Sequence, residues 1–242
     1  ITFAIPGAGP YIIQLADELP TITDAVAIDG TTQAGYTGKP LIELDGVNTF
    51  AANGLVLNAG SSTVRGLVIG RFQFDAISIG TAGGNTIAGN YLGTDVTGLQ
   101  ARPNRYGIYV YNSNNNQIGG VTLADRNVIS ANNSGGVYIV GTANSGGSNT
   151  IQGNFVGVGS DGVTALPNKA QGLIISSPSN TIGGTTGTIP TGPCSGACNV
   201  ISSNLSSGIL LAANTSNPVI QGNYIGADVS GSLLRRNQQD GI

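Results

Sequence analysis

The chain has 242 residues and contains no histidine, methionine or tryptophan. Without histidine it lacks the commonest general base and a frequent metal ligand. Charged residues make up only 9% of the sequence, and the net charge is −3. No dense basic stripe is present, which argues against a nucleic-acid partner. No apolar run reaches the roughly 18 residues of a membrane span. Lys and Glu, which favour helices, are scarce. Val, Ile, Thr, Asn and 39 glycines dominate instead, and 40% of the residues are hydrophobic and evenly spread. That mixture favours short strands and tight turns around a real core.

Charge is uneven along the chain. Asp17, Glu18, Asp24, Asp29, Glu43 and Asp45 face only Lys39 in the first fifty residues. No signal peptide is visible, and Ile1 stands where an initiator Met would. The expectation is a chain processed or cut from something longer. The two cysteines, Cys194 and Cys198, lie in GPCSGACN. With no histidine and no further cysteine they cannot complete a zinc site. A local disulfide, implying an oxidising compartment, is one reading and two free thiols the other.

Internal repetition is the strongest signal. NTIAGNYLG starts at Asn85, NTIQGNFVG at Asn149 and PVIQGNYIG at Pro218, and RNVISANN and CNVISSNL lie between the copies. Asn90, Asn154 and Asn223 are equivalent, at spacings of 64 and 69 residues. Shorter units at Asn115 (NNQIGG) and Ser179 (SNTIGG) divide each period into two coils. Coil starts near Thr63, Asn85, Asn116, Asn149, Asn180 and Pro218 fall in the range of stacked solenoid repeats. Each coil is expected to hold two short strands. The first is the Thr-Ile-x-Gly-Asn segment, and the second follows Gly107, Gly136, Gly172 or Gly208. Asn is expected at the bends, where it tolerates left-handed backbone and can bond a neighbouring coil.

One domain is expected over residues 1–242: divergent N-terminal coils over 1–62 and regular coils over 63–242. The N-terminal acids suit a terminal unit that must not present a sticky end, with Leu15 to Leu19 as a capping turn or helix. The sequence stops at Gln239-Asp240-Gly241-Ile242, where another strand should begin. The expectation there is an unfinished coil, truncated from a longer repeat protein. Its open edge would allow another copy of the chain to stack end to end.

Several segments carry a resemblance: ITFAIPGAGPYIIQ, LPTITDAVAIDGTTQ and PLIELDG near the start, then TVRGLVI, NYLGTDVTG and CSGACNVISSN. Over nearly its whole length the chain resembles a bacterial family of right-handed parallel β-helix repeat proteins, similar in fold to the pectate-lyase-like superfamily. The repeats alone imply a β-solenoid, and the resemblance implies its handedness. The expected architecture is therefore all-β: a right-handed parallel β-helix of roughly eight coils, with the N-terminal end capped and the C-terminal end open. The resemblance further implies a segment of a secreted or surface-attached bacterial protein.

Chemistry is sparser. The DPHD signature of alginate epimerases and the NTD, DD, GHG and RIK set of polygalacturonases are missing, which argues against an enzyme. Asp95, Asp161 and Asp228 are read as equivalent turn residues, in turns ending at Asn104, Asn168 and Asn237. They form either a weak calcium or glycan ladder or a set of turn caps. Alternate coils lie roughly 9–10 Å apart, too far for two of these carboxylates to share one Ca²⁺. Arg65, Arg71 and Asp75, interleaved with Phe72 and Phe74, are either a sugar-binding patch or a surface ion pair over core phenylalanines. Tyr109 and Tyr138 are expected to stack one above the other on an exposed face with Tyr106 and Tyr111. The leading reading is a non-catalytic, secreted or cell-surface rigid module that is structural or adhesive and binds glycan or its own kind. The alternative is a carbohydrate-active β-helix acting on an acidic polysaccharide.

Overall fold

The computed structural model describes residues 1–189 and 192–242. Their strands, two to four residues long, stack into three parallel sheets, so the chain is a parallel β-solenoid. The first sheet has eight strands, beginning at Tyr11–Gln14 and Ile42–Asp45 and continuing through Leu67–Gly70, Tyr91–Leu92 and Val128–Ile129 to Tyr224–Ile225. The second has seven, from Ala27–Asp29 through Thr63–Arg65, Thr86–Ala88 and Thr150–Gln152 to Val219–Gln221. The third has six: Leu55–Leu57, Ile77–Ile79, Ile108–Tyr111, Val137–Val140, Leu173–Ser176 and Ile209–Leu211.

Each coil therefore contributes three strands, where the sequence suggested two. The Thr-Ile-x-Gly-Asn-Tyr segment is broken at its Gly-Asn step. Its first half joins the second sheet and its second half the first sheet, as in Thr86–Ala88 and Tyr91–Leu92. The break has a backbone cause. Gly153 has φ +69°, and a Cβ there would lie 2.1 Å from the Gly120 carbonyl oxygen.

Inside the coils, equivalent aliphatic side chains lie in register. Ile87, Ile118, Ile151 and Ile182 form one such row, and none is accessible to solvent. Ile108, Val137, Leu173 and Ile209 form another. Each fully buried side chain contributes roughly 1.5–3 kcal/mol. At the N-terminal side Leu15 and Leu19 pack against the end of this core without forming a helix. The short helices are instead the 3-10 turns Gly30–Thr32 and Leu123–Asp125.

Asparagines, all buried except Asn223, hold the three corners. Asn90, Asn127, Asn154, Asn199 and Asn223 form one ladder, in which each Nδ2 donates to the Oδ1 of the next at 2.8–3.2 Å. The backbone N–H of each also donates to that same Oδ1. The remaining Nδ2 hydrogen reaches a carbonyl of the preceding coil, as from Asn154 to Ile118 at 2.9 Å. Asn104, Asn132, Asn168, Asn204 and Asn237 repeat this at the second corner. Asn85, Asn116, Asn149 and Asn180 do so at the third. None of these asparagines is left-handed among the described residues, contrary to the expectation for bends. At many of them that conformation falls on the residue before, as at Gly89, Ala131 and Ser148. The asparagines are there for their amides.

The disulfide is present. Cys194 and Cys198 are bonded across a Cα–Cα distance of 5.4 Å, and both are buried against Phe155, Val200 and Tyr224. No helix of the described residues is long and apolar enough to cross a membrane.

The ladder gives a position-dependent prediction. Asn154→Ala would orphan the Asn127 amide and Nδ2 donors that meet its Oδ1 and would strip the Ile118 carbonyl of its side-chain donor, at a cost of about 4 kcal/mol, while the residue-154 amide keeps its bond to Asn199. Asn223→Ala, at a half-exposed position that water can reach, should cost about 1 kcal/mol. Urea denaturation of the two variants checks this, and equal losses would contradict the ladder's role.

Candidate functional site

The outward row of the third sheet is largely free of loops and carries aromatics. Tyr109 pairs in register with Ser78 on one side and Tyr138 on the other, and Tyr138 pairs in turn with Ile174. The rings of Tyr109 and Tyr138 have centroids 5.5 Å apart and planes at 72°, an edge-to-face contact. Tyr106, just before the strand, lies 5.5 Å from Tyr138 and 6.2 Å from Tyr109. Tyr111 is half exposed farther along the same strand, opposite Val140.

Arg105 organises this face. Its guanidinium lies 5.2 Å from the Phe74 ring centroid, 5.4 Å from Tyr106 and 5.9 Å from Tyr109. Two hydrogen bonds to Asp75, at 2.9 and 2.8 Å, fix its orientation. Asp75 is buried, whereas the Arg105 side chain is 42% exposed. Those hydrogen bonds, more than any other influence, raise the Arg105 pKa and keep it cationic. Burial raises the phenols of Tyr106 and Tyr109 above their ordinary range, so they act as hydroxyl donors and acceptors. The result is a fixed cation among aromatic rings, an arrangement that can stack on a sugar ring and hydrogen-bond its hydroxyls.

The other sequence candidates are dispersed. Arg65, Arg71 and Asp75 do not form one cluster. Arg65 approaches Asp125 at 3.9 Å, Arg71 grips Asp45 through Nε and Nη2, and Asp75 takes Arg105. Phe72 is in the core and Phe74 is on the surface. Of the three, only Asp75 belongs to the tyrosine face, as the anchor of its cation.

Asp95, Asp161 and Asp228 sit in three similar hairpin turns, marked by the bridges Thr94–Ala101, Val158–Ala165 and Ala227–Leu234. Those bridges make Asp95 and Asp228 equivalent but place Asp161 two positions later, level with Thr97 and Ser230. Asp228 accepts from the amides of Ser232 and Leu233, and Asp161 accepts from those of Val163 and Thr164, the same pair of turn amides. Asp95 accepts from Leu99 and Gln100. Asn104, Asn168 and Asn237 are corner-ladder members whose amides are already engaged. Among the described residues, no three His, Cys, Asp or Glu side chains converge to hold a metal ion.

One group escaped the sequence reading. Glu43 and Asp45 both face outward from the first sheet yet are buried, with Arg71 on Asp45 and Arg102 passing over Gly70. Burial first, then the Asp45 carboxylate, pushes Glu43 above the usual carboxylate range, while Arg102 and Arg71 oppose the shift. The alternation in Ile42–Asp45 was a readable signal, because two acids on one face of a strand are poor neighbours unless a partner covers them.

No protein-family profile matches the chain, and no curated protein matches it in sequence.

Glu43 supplies a pH test. Folding raises its pKa, so its contribution to stability is complete below its ordinary value of 4.5 and is lost as pH rises through the raised folded value. Glu43→Gln cannot ionise. The variant's denaturation midpoint relative to wild type should therefore be higher at pH 7 than at pH 4. The same offset at both pH values would show that Glu43 ionises freely.

Proposed function

We propose that this chain is a rigid, non-catalytic structural and adhesive module that works outside the cell, on a bacterial surface or in its surroundings, and binds glycans on its tyrosine face. The observation that carries this reading is the group of Tyr106, Tyr109, Tyr138 and Phe74 around Arg105, itself locked by buried Asp75. Such a face needs no reacting group and gains from rigidity, since little side-chain freedom is lost when a ligand binds. The disulfide supports an oxidising, extracellular setting. Right-handed winding and kinship with pectate-lyase-like folds belong to the same reading.

A glycan array tests the proposal. Wild-type chain should bind a subset of glycans, and Tyr109→Ala and Tyr138→Ala should each weaken that binding at least tenfold, about 1.4 kcal/mol, while remaining folded at the assay temperature. An array with no signal above background would overturn it.

A second reading, a carbohydrate-active β-helix acting on an acidic polysaccharide, draws support from one observation. Glu43 and Asp45 form a carboxyl pair with a raised pKa on one member, beside two arginines. Turnover of an acidic polysaccharide that is lost in Glu43→Gln would replace the non-catalytic reading with this one.

A further inference from the structure

Arginines in this chain are mostly accounted for by carboxylates or by exposure. Among the described residues, Arg65, Arg71 and Arg105 each have an acidic partner. Arg102 and Arg235 are half-buried without an ion pair but lie in the field of Glu43 and Asp228, whereas Arg126 has no acidic neighbour acting on it. Its side chain is half-buried, its Nε donates to the Gly153 carbonyl at 2.9 Å, and its guanidinium lies 4.1 Å from the Phe155 ring centroid. No carboxylate meets it among the described residues. The neighbouring Asp125 is turned away, toward Thr122 at 2.6 Å and Arg65. Burial lowers the Arg126 pKa, with no acidic group offsetting the effect. Placing a guanidinium in a partly dry site without a counter-charge is costly.

Arg126 borders a cleft of about 240 Å³ on the outer side of the first sheet. Tyr91 and Val128, register partners in that sheet, lie along it. Lys39 contributes a second cation, Thr37 and Ser160 contribute hydroxyls, and Leu123 an apolar edge. No acidic side chain lines the cleft. It is smaller than the roughly 300–1,000 Å³ of a drug-sized pocket, so it suits a single small group or one sugar unit.

We propose that this cleft binds a small oxyanion, the carboxylate or sulfate group of a saccharide, with Arg126 and Lys39 as its counter-charges. Arg126 is held from behind by Gly153 and Phe155, so its terminal nitrogens are free to meet the anion as a planar fork. Thr37 can bond a sugar hydroxyl, and Ser160, whose hydroxyl donates to the Thr97 carbonyl, can accept from one. The site does not depend on the tyrosine face, which is built on a different sheet.

Titration of the whole chain with sodium glucuronate, sodium sulfate and glucose, followed by calorimetry or amide chemical shifts, tests the proposal. Glucuronate should bind saturably and weaken as salt is raised, and glucose should bind at least tenfold more weakly. Sulfate binding as tightly as glucuronate would identify the oxyanion alone as the recognised group. Tighter glucuronate binding would identify the uronate sugar. Arg126→Gln should lose at least tenfold in affinity. If that variant fails to fold, Lys39→Gln, at an exposed position, should still weaken binding severalfold. Absence of binding by both anions to wild type, or unchanged affinity in Lys39→Gln and in any folded Arg126→Gln, would overturn the assignment. Tyr109→Ala leaves this cleft intact, so failure of glycan-array binding and failure here are separate results.

Discussion

A buried asparagine amide must have its hydrogen bonds met, and the rest of the solenoid follows from that. An amide left unpaired in the interior costs about 1–3 kcal/mol. At each corner the amide is satisfied because the next coil presents another asparagine at the same place, as Asn127 meets Asn154 and Asn154 meets Asn199. Aspartate would have nothing to donate and would stack like charges. Serine has a single donor. The ladder therefore obliges each coil to retrace the one before it at strand spacing, about 4.8 Å. Strands as short as Tyr91–Leu92 could not hold their register alone, and the corners hold it for them. The same amides restrain left-handed backbone at Ala131 and Ser148, which no β-carbon-bearing residue adopts without cost.

Because the corners are fixed, coil length varies only in the loops between them, and the loops decide which surfaces remain open. The three hairpin turns arise in every second coil yet touch one another. The Ser160 amide donates to Gly98 at 3.0 Å, and the Val229 amide donates to Gly162 at 2.9 Å. Together with the disulfide loop they roof much of the first sheet, burying outward residues such as Phe155 and Val200. The cleft beside Tyr91 lies where that roof is incomplete. The third sheet keeps its outward row of Tyr109 and Tyr138 half-exposed.

Periodic features were legible in the sequence and non-periodic ones were not. The second-sheet strands start within a residue of the coil starts read from the repeats, and Tyr109 opposite Tyr138 follows from counting along two Gly-φ-Tyr-φ strands. Asn127 and Asn199 could be read with Asn90, Asn154 and Asn223 as bend residues able to bond a neighbouring coil, but not as alternate rungs of one ladder, because they stand in a different phrase. The three aspartate turns were legible as equivalent turns with capping acids, but not that Asp161 caps the same amides from two positions later. The pairs Arg71–Asp45 and Arg105–Asp75 span 26 and 30 residues, one coil each, and nothing local in the sequence marks them. Sequence distance pointed to Arg71 with Asp75, four residues apart. The solenoid instead joins residues one turn away.

Both proposed contacts draw on the same property of the scaffold. Arg105 and Arg126 are each immobilised from behind, one by a buried carboxylate and the other by a carbonyl and an aromatic ring. A side chain fixed before binding has less freedom to lose when the ligand arrives. Each face is small, and a single sugar on either would be held weakly. A polysaccharide presents its units many times over, however. Once one unit is bound, the next contact forms at the effective concentration set by the chain that links them. A stiff solenoid keeps its two faces at a constant separation, so that gain is not spent on ordering the protein. On the proposed reading, the rigidity that the asparagine ladders supply is what would let two modest sites on separate sheets act as one attachment to a polymer.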